Sequence, residues 1–358
     1  MKRLALIVLI CFVAILAFAN QENNDTTVEN AATHYLKTFE LLKYPKSKEI
    51  GENLGKAIKN GWQKESQALE EILNKNEPTF VELEKALLIE NCDFTFGKEY
   101  KYSAYKELPD LIEVKNLFNL LLLKGRYYEN QNNTSKAIDT YLSALILAQQ
   151  ISQSDDLISK LVALTLEDRV YVLLGDYCIV REINLAEQEK ISAFLEKYKK
   201  VHFLASELIE CEKIFFISTM QILVDDIQEQ AVEENLNNNN DKIKSLETFR
   251  NQFMKQANGL TNKYYGNFAK AVETNKEEDW SFATNQLEAF RKETNSTVEM
   301  IKDVGGILYK SITKDIKGYN QAVTKKVVSI ALSTAMPDFK KATELYYLTL
   351  KKLNLLLK

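Results

Sequence analysis

The stretch LIEVKNLFNLLLLKGRYYENQNNTSKAIDTYLSALILAQQIS, residues 111–152, decides the fold. Its apolar residues recur every three to four positions on both sides of a polar break at 131–134. That spacing predicts two helices, 111–130 and 135–152, folded back on one another across a short turn. A third helix is expected over 155–180, opened by the capping run Ser152-Gln153-Ser154-Asp155.

Working outward, the same period extends in both directions. Upstream, Tyr35, Phe39 and Leu42 share a helical face beginning near Ala31, and two or three further short helices reach to about residue 90. Pro45, Gly51, Gly55, Gly61 and Pro78 punctuate them. Downstream, helices are expected over 185–200 and 201–236, and the run Asn237-Asn238-Asn239-Asn240 marks a boundary. Residues 241–358 then alternate charges with scattered aromatics, the pattern of amphipathic helices with wide solvated faces. With 11 glycines and 4 prolines in 358 residues, turn-formers are scarce. The expectation is an all-α fold of helical hairpins in a solenoid-like or bundle arrangement. It divides into a helical domain over 31–236 and a C-terminal helical region over 241–358, with long amphipathic helices, packed on the first or following it.

The N-terminus carries an address. Lys2 and Arg3 precede an unbroken apolar run from Leu4 to Ala19, ending in Ala17-Phe18-Ala19. A basic head, an apolar segment and small residues at the exit form an export signal. The run is shorter than the roughly 20 residues of a membrane span. Cleavage near Ala19/Asn20 is therefore expected, giving a periplasmic or extracellular protein; contact with a membrane follows only if residues 1–19 stay as an anchor. Residues 20–30 read as a disordered spacer. Cleavage would make the net charge of −4 more negative by two. An acidic chain without a basic patch does not fit nucleic-acid binding.

One segment breaks the helical pattern. Residues 91–108, NCDFTFGKEYKYSAYKEL, gather Phe94, Phe96, Tyr100, Tyr102 and Tyr105 around Gly97 without a helical period. Such a loop either plugs its rings between helices or offers an aromatic surface to a ligand. Phe94, Phe96, Tyr100 and Tyr102 are accordingly candidate binding residues. Arg169 is another. At about 100° per residue it projects within the apolar arc of Ile158, Val162 and Leu173. It must then either reach water or meet a carboxylate, the latter as a tie between helices or as an anchor for a ligand.

Catalytic signatures are missing. The two histidines, His34 and His202, lack the spacing of zinc or di-iron sites and read as surface or cap residues. No phosphate loop, dinucleotide fingerprint or nucleophile elbow occurs. Neither a metal nor a cofactor is expected. The pairs Asp155-Asp156, Glu167-Asp168 and Asp225-Asp226 read as caps or solvated faces. Cys92, Cys178 and Cys211 remain after cleavage; Cys178 and Cys211, in apolar helical stretches, read as small buried hydrophobes, with a Cys178–Cys211 bridge as the alternative.

Residues 121–149 resemble one tetratricopeptide hairpin: Gly125 and Tyr128 in its first helix, then Ala137, Tyr141 and Ala144 in its second. Leu121, Lys124 and Gln149 depart from that family's pattern, and a shift of 34 residues finds no second copy. More broadly, residues 90–180 are similar to an exported bacterial all-helical family without a known activity. That resemblance implies fold and export, and no chemistry. The expected function is a non-enzymatic scaffold or interaction protein of the cell envelope, with an unknown protein partner. The alternative is an exported binding protein for a small or lipidic ligand; a carboxylate-dependent hydrolase is the enzymatic rival.

Overall fold

The computed structural model describes residues 29–62, 67–96, 98–101, 103, 106, 108–180, 183–231, 240–295 and 339–357. The export signal, the spacer up to residue 28, Tyr102, Tyr105, Gly97 and Asn237–Asn239 lie outside these described residues. The described residues are helical with no strand among them, so the chain is all-α. The helices are α1 (Ala31–Leu41), α2 (Lys48–Asn60), α3 (Gln67–Lys75), α4 (Glu77–Leu87), α5 (Leu111–Asn130) and α6 (Thr134–Ser152). They continue with α7 (Leu157–Val180), α8 (Leu185–Val201), α9 (Ala205–Ala231), α10 (Asn240–Thr274), α11 (Glu277–Asn295) and α12 (Phe339–Leu356).

The quoted stretch forms α5 and α6, and α5 packs on α6 and α6 on α7. Asp110 caps α5 by accepting from the backbone N–H of Ile112 and Glu113, and Asn133 caps α6 by accepting from Lys136. The two helices meet face to face at Gly125. A Cβ there would stand 2.4 Å from Cε1 of Tyr141, so only glycine lets the buried ring lie flat against α5. The Tyr141 hydroxyl donates to Glu129 at 2.7 Å, and Glu129 is paired with Arg126, also at 2.7 Å. Arg126 also donates to the Ile58 carbonyl of α2 at 2.9 Å, which ties the short N-terminal helices to the hairpin. Tyr128, by contrast, is only half-buried and lies beneath Lys136 on the outer face.

Two cores share α7. Its C-terminal half, through Leu166, Val170, Leu174 and Tyr177, packs into a core built by α1–α6 and α8. Its N-terminal half, through Leu157 and Leu164, packs into a second core. That core is aromatic: Phe216 of α9, Tyr265 and Phe268 of α10, Trp280 of α11 and Phe339 of α12. Ring centroids lie 5.3 Å apart for Phe268–Phe339 and 5.5 Å for Tyr265–Phe339. A helix apolar around most of its circumference is what such double burial requires. Helix α12 returns across both cores, placing Phe339 and Tyr346 in the second and Leu353 in the first. Helix α9, upstream of the Asn-rich run, therefore packs with the elements that follow that run.

A buried polar knot sits where the cores meet. The Glu167 carboxylate accepts from Tyr198 at 2.7 Å and lies 2.8 Å from Nε2 of His202. Nδ1 of His202 is 3.0 Å from the Phe203 carbonyl, an oxygen to which the ring nitrogen can only donate. Tyr346 of α12 donates to the same carbonyl at 3.0 Å. Burial by itself would lower the His202 pKa; Glu167 and the Phe203 carbonyl outweigh it and hold it above 6.5. Glu167 is thus an interior group, contrary to the solvated-face expectation, and His202, which does stand at the C-cap of α8, has its ring buried rather than at the surface. Their partners come from three different helices, which no local spacing reveals.

Candidate functional site

A cleft of about 720 Å³ opens between the described residues of the 91–108 segment (91–95, 103, 106 and 108), the α6–α7 link and α9. Its first wall is held by side chains acting as backbone partners. Asn30 caps α1 by accepting from Ala32 N–H, and the same oxygen accepts from Asp93 N–H at 2.9 Å. Its amide donates back to the Asp93 carbonyl at 2.7 Å. From α6, Gln150 donates to the carbonyls of Ala86 and Ile89 at 2.9 and 2.6 Å. Gln153 accepts from Cys92 N–H and donates to the Glu90 carbonyl, each at 2.8 Å. The chain that leaves α4, residues 88–93, is thereby fixed against the end of the central hairpin.

The second wall is the start of α7. Asp156, one residue beyond the capping run Ser152–Asp155, caps it, accepting from Ser159 N–H at 2.6 Å and from the Ser154 hydroxyl at 2.5 Å. Asp155 instead faces Lys106 across the mouth at 3.1 Å. The third wall is α9, which contributes Glu212, Ile214 and Phe215. Large apolar side chains stand open on these walls: Phe215 is 49% exposed, Ile214 43%, Ile158 55% and Leu108 44%. With Phe94 they line the cleft together with the carboxylates of Asp93, Asp155, Asp156 and Glu212.

Of the candidate residues, the structure brings Phe94 alone into the cleft lining. Phe94 is half-buried, its ring centroid 6.1 Å from that of Tyr35. Phe96 is 60% exposed and outside the lining. Tyr100 turns its hydroxyl inward, where it has no hydrogen-bond partner among the described residues. Tyr102 lies outside the described residues. Arg169 is elsewhere, on the far half of α7. It donates to the Asn119 side-chain oxygen at 2.9 Å, and its guanidinium lies over the Phe118 ring at 5.2 Å. Burial lowers its pKa, and its partners are an amide and a ring rather than the expected carboxylate. Asp168 pairs with Lys352 of α12 instead.

Sequence reasoning missed Phe215, Ile214, Ile158 and Glu212. A signal was present in Ile214-Phe215-Phe216, because three successive apolar residues sweep about 200° of a helix and cannot all face one core. Only Phe216 of the three is buried.

Other features are structural. A depression of about 280 Å³ along α4–α6 has Lys124 lying over the Phe80 ring at 3.9 Å, a stem packed on an aromatic face. Cys92, Cys178 and Cys211 are free, Cys178 being half-buried. Burial pushes the Cys92 thiol up to about 12 and that of Cys211 up to about 11, far from reactive thiolates. Among the described residues no group of three or more His, Cys, Asp or Glu side chains is placed to hold a metal ion. None of their helices is long and apolar enough to cross a membrane. Comparison with protein-family models, curated proteins and solved structures returned no match to this chain.

Proposed function

We propose that this chain is an exported, non-catalytic binding protein that holds a small apolar ligand in the cleft between residues 91–108, the start of α7 and α9. The single observation that carries the reading is the cleft itself. Its volume of about 720 Å³ falls inside the range of small-molecule sites, roughly 300–1,000 Å³. Apolar side chains left open to water within a concave site are the usual lining of such sites. Export is supported by the basic head, the apolar run and the Ala17-Phe18-Ala19 exit. A scaffold for a protein partner, the other expectation, draws on the helical hairpins but makes no use of the cleft. The ligand reading is therefore preferred.

The test is binding of an apolar fluorescent dye, N-phenyl-1-naphthylamine, to the intact chain. Emission should rise saturably, with one dye bound per chain. Phe215→Asp and Ile158→Asp, each at an already exposed position, weaken it at least about tenfold, the effect of putting a charge in an apolar pocket. Non-saturable emission, or equal binding by both variants, removes the proposal.

A further inference from the structure

The charges of the cleft say more about what fits in it. We infer that the ligand is an organic cation, an apolar amine or quaternary ammonium compound whose positive end sits at Glu212; this rests on the ligand-binding reading above. Among the described residues the cleft is lined by four carboxylates, Asp93, Asp155, Asp156 and Glu212, and by one cation, Lys106. Three of the four are already engaged. Asp155 holds Lys106, Asp156 caps α7, and Asp93 accepts from the backbone N–H and hydroxyl of Thr95 at 2.8 and 2.6 Å.

Glu212 is different. It is half-buried in the α9 wall beside Ile214 and Phe215, and it has neither a hydrogen bond nor an ion pair among the described residues. Burial pushes its carboxyl pKa up, with no cation to counter it. Lys160 of α7 is committed to the Ser152 carbonyl at 2.8 Å and to Glu207 at 3.4 Å. Lys160 also lies over the Phe203 ring at 4.9 Å. An uncompensated carboxylate in an apolar wall is unfavourable until a cation meets it. The rest of the lining selects the kind of cation. Phe94 and Phe215 offer aromatic rings, which attract ammonium groups. Leu108, Leu157, Ile158 and Ile214 cannot replace the waters of a hydrated metal ion, but they suit a hydrocarbon body.

Displacement of the bound dye from the intact chain tests this with four probes of equal chain length, each below its aggregation threshold. They are dodecylamine, dodecyltrimethylammonium, dodecanol and dodecanoate. The ammonium probes should displace dye at concentrations at least about tenfold below dodecanoate, and this advantage should shrink in 0.5 M salt as the ion pair is screened. Glu212→Gln should bring the ratio of ammonium to dodecanol affinity to within about threefold of unity. Its thermal unfolding, followed in parallel, shows whether the variant is folded; the salt series on the unmodified chain carries the test if it is not. If dodecanoate and dodecanol compete as well as the amines, the charge inference is overturned while ligand binding stands. If neither dye nor any probe binds, both fall together.

Discussion

Replacing Gly125 with alanine probes the closest approach in the fold. The new methyl group would stand 2.4 Å from Tyr141 Cε1, whereas carbon atoms in contact rest about 3.5–4.0 Å apart. The ring must retreat by more than an ångström, and it has no room to do so. Tyr141 is fully buried, and its hydroxyl is held at 2.7 Å by Glu129, which is itself locked to Arg126. Overpacking of this kind costs about 1–3 kcal/mol, and stretching the hydroxyl's bond places the effect in the upper part of that range. Against it stands the helix preference of alanine over glycine, about 1 kcal/mol. The net expectation is a loss of roughly 1–2 kcal/mol, read as a lower urea midpoint with unchanged slope. The sign should reverse when the ring is removed. In a Tyr141→Leu background, itself destabilised through Glu129, Gly125→Ala should stabilise by up to about 1 kcal/mol. A Gly125→Ala variant as stable as the parent, or one with the same effect in both backgrounds, would refute the steric account of the hairpin.

Four further outcomes follow from the same contacts. Because the folded pKa of His202 is raised, its contribution to stability is complete below about pH 6.5 and is lost as the pH rises through the folded value. The urea midpoint should therefore fall on the alkaline side of pH 6.5, and His202→Gln should flatten that fall; a midpoint that climbs over this range contradicts the assignment. Arg126→Met leaves Glu129 buried beside Tyr141 without its cation and should cost about 3–5 kcal/mol, measured by denaturation. Ending the chain before α12 uncovers both cores at Tyr346 and Leu353, so the truncated protein should lose a single cooperative thermal transition. In peptide-resolved alkylation of the native protein at pH 8, Cys178 should react before Cys92 and Cys211, since the latter two are buried with raised pKa values.

How much of this was readable from the chain depends on whether the cause was local. The bounds of α5 were legible because Asp110 caps it and apolar residues recur through it to Asn130. The α6–α7 link was legible to within two residues, since Ser154 and Asp156 both bond within that link and the turn after it. The break between α8 and α9 was less so. It falls at His202–Leu204, where the imidazole meets Glu167 from α7 and Tyr346 from α12 bonds the Phe203 carbonyl. The expected division at 200/201 lies close to it, but the contacts that hold the break come from partners 35 and 143 residues away. Glu167 was read as solvated because adjacent carboxylates usually are. The surrounding LVALTLEDRVYVLL leaves α7 hardly any polar face on which to solvate it. The site was half legible. Aromatic crowding in 91–108 pointed to one wall and to Phe94. The opposite wall, Glu212 to Phe215, lies over a hundred residues later in a helix whose own period gives no sign of what it faces.

The central claim is that a ligand occupies this cleft, and photolabelling locates it most directly. The intact chain would be irradiated with a diazirine-bearing alkyl amine at increasing concentration, digested and mapped by mass spectrometry. The account predicts saturable labels confined to peptides spanning residues 91–95, 153–158 and 212–215, suppressed by excess dodecylamine. Labels spread over other exposed apolar positions such as Leu88 and Ile179, or labels that never saturate, would contradict it.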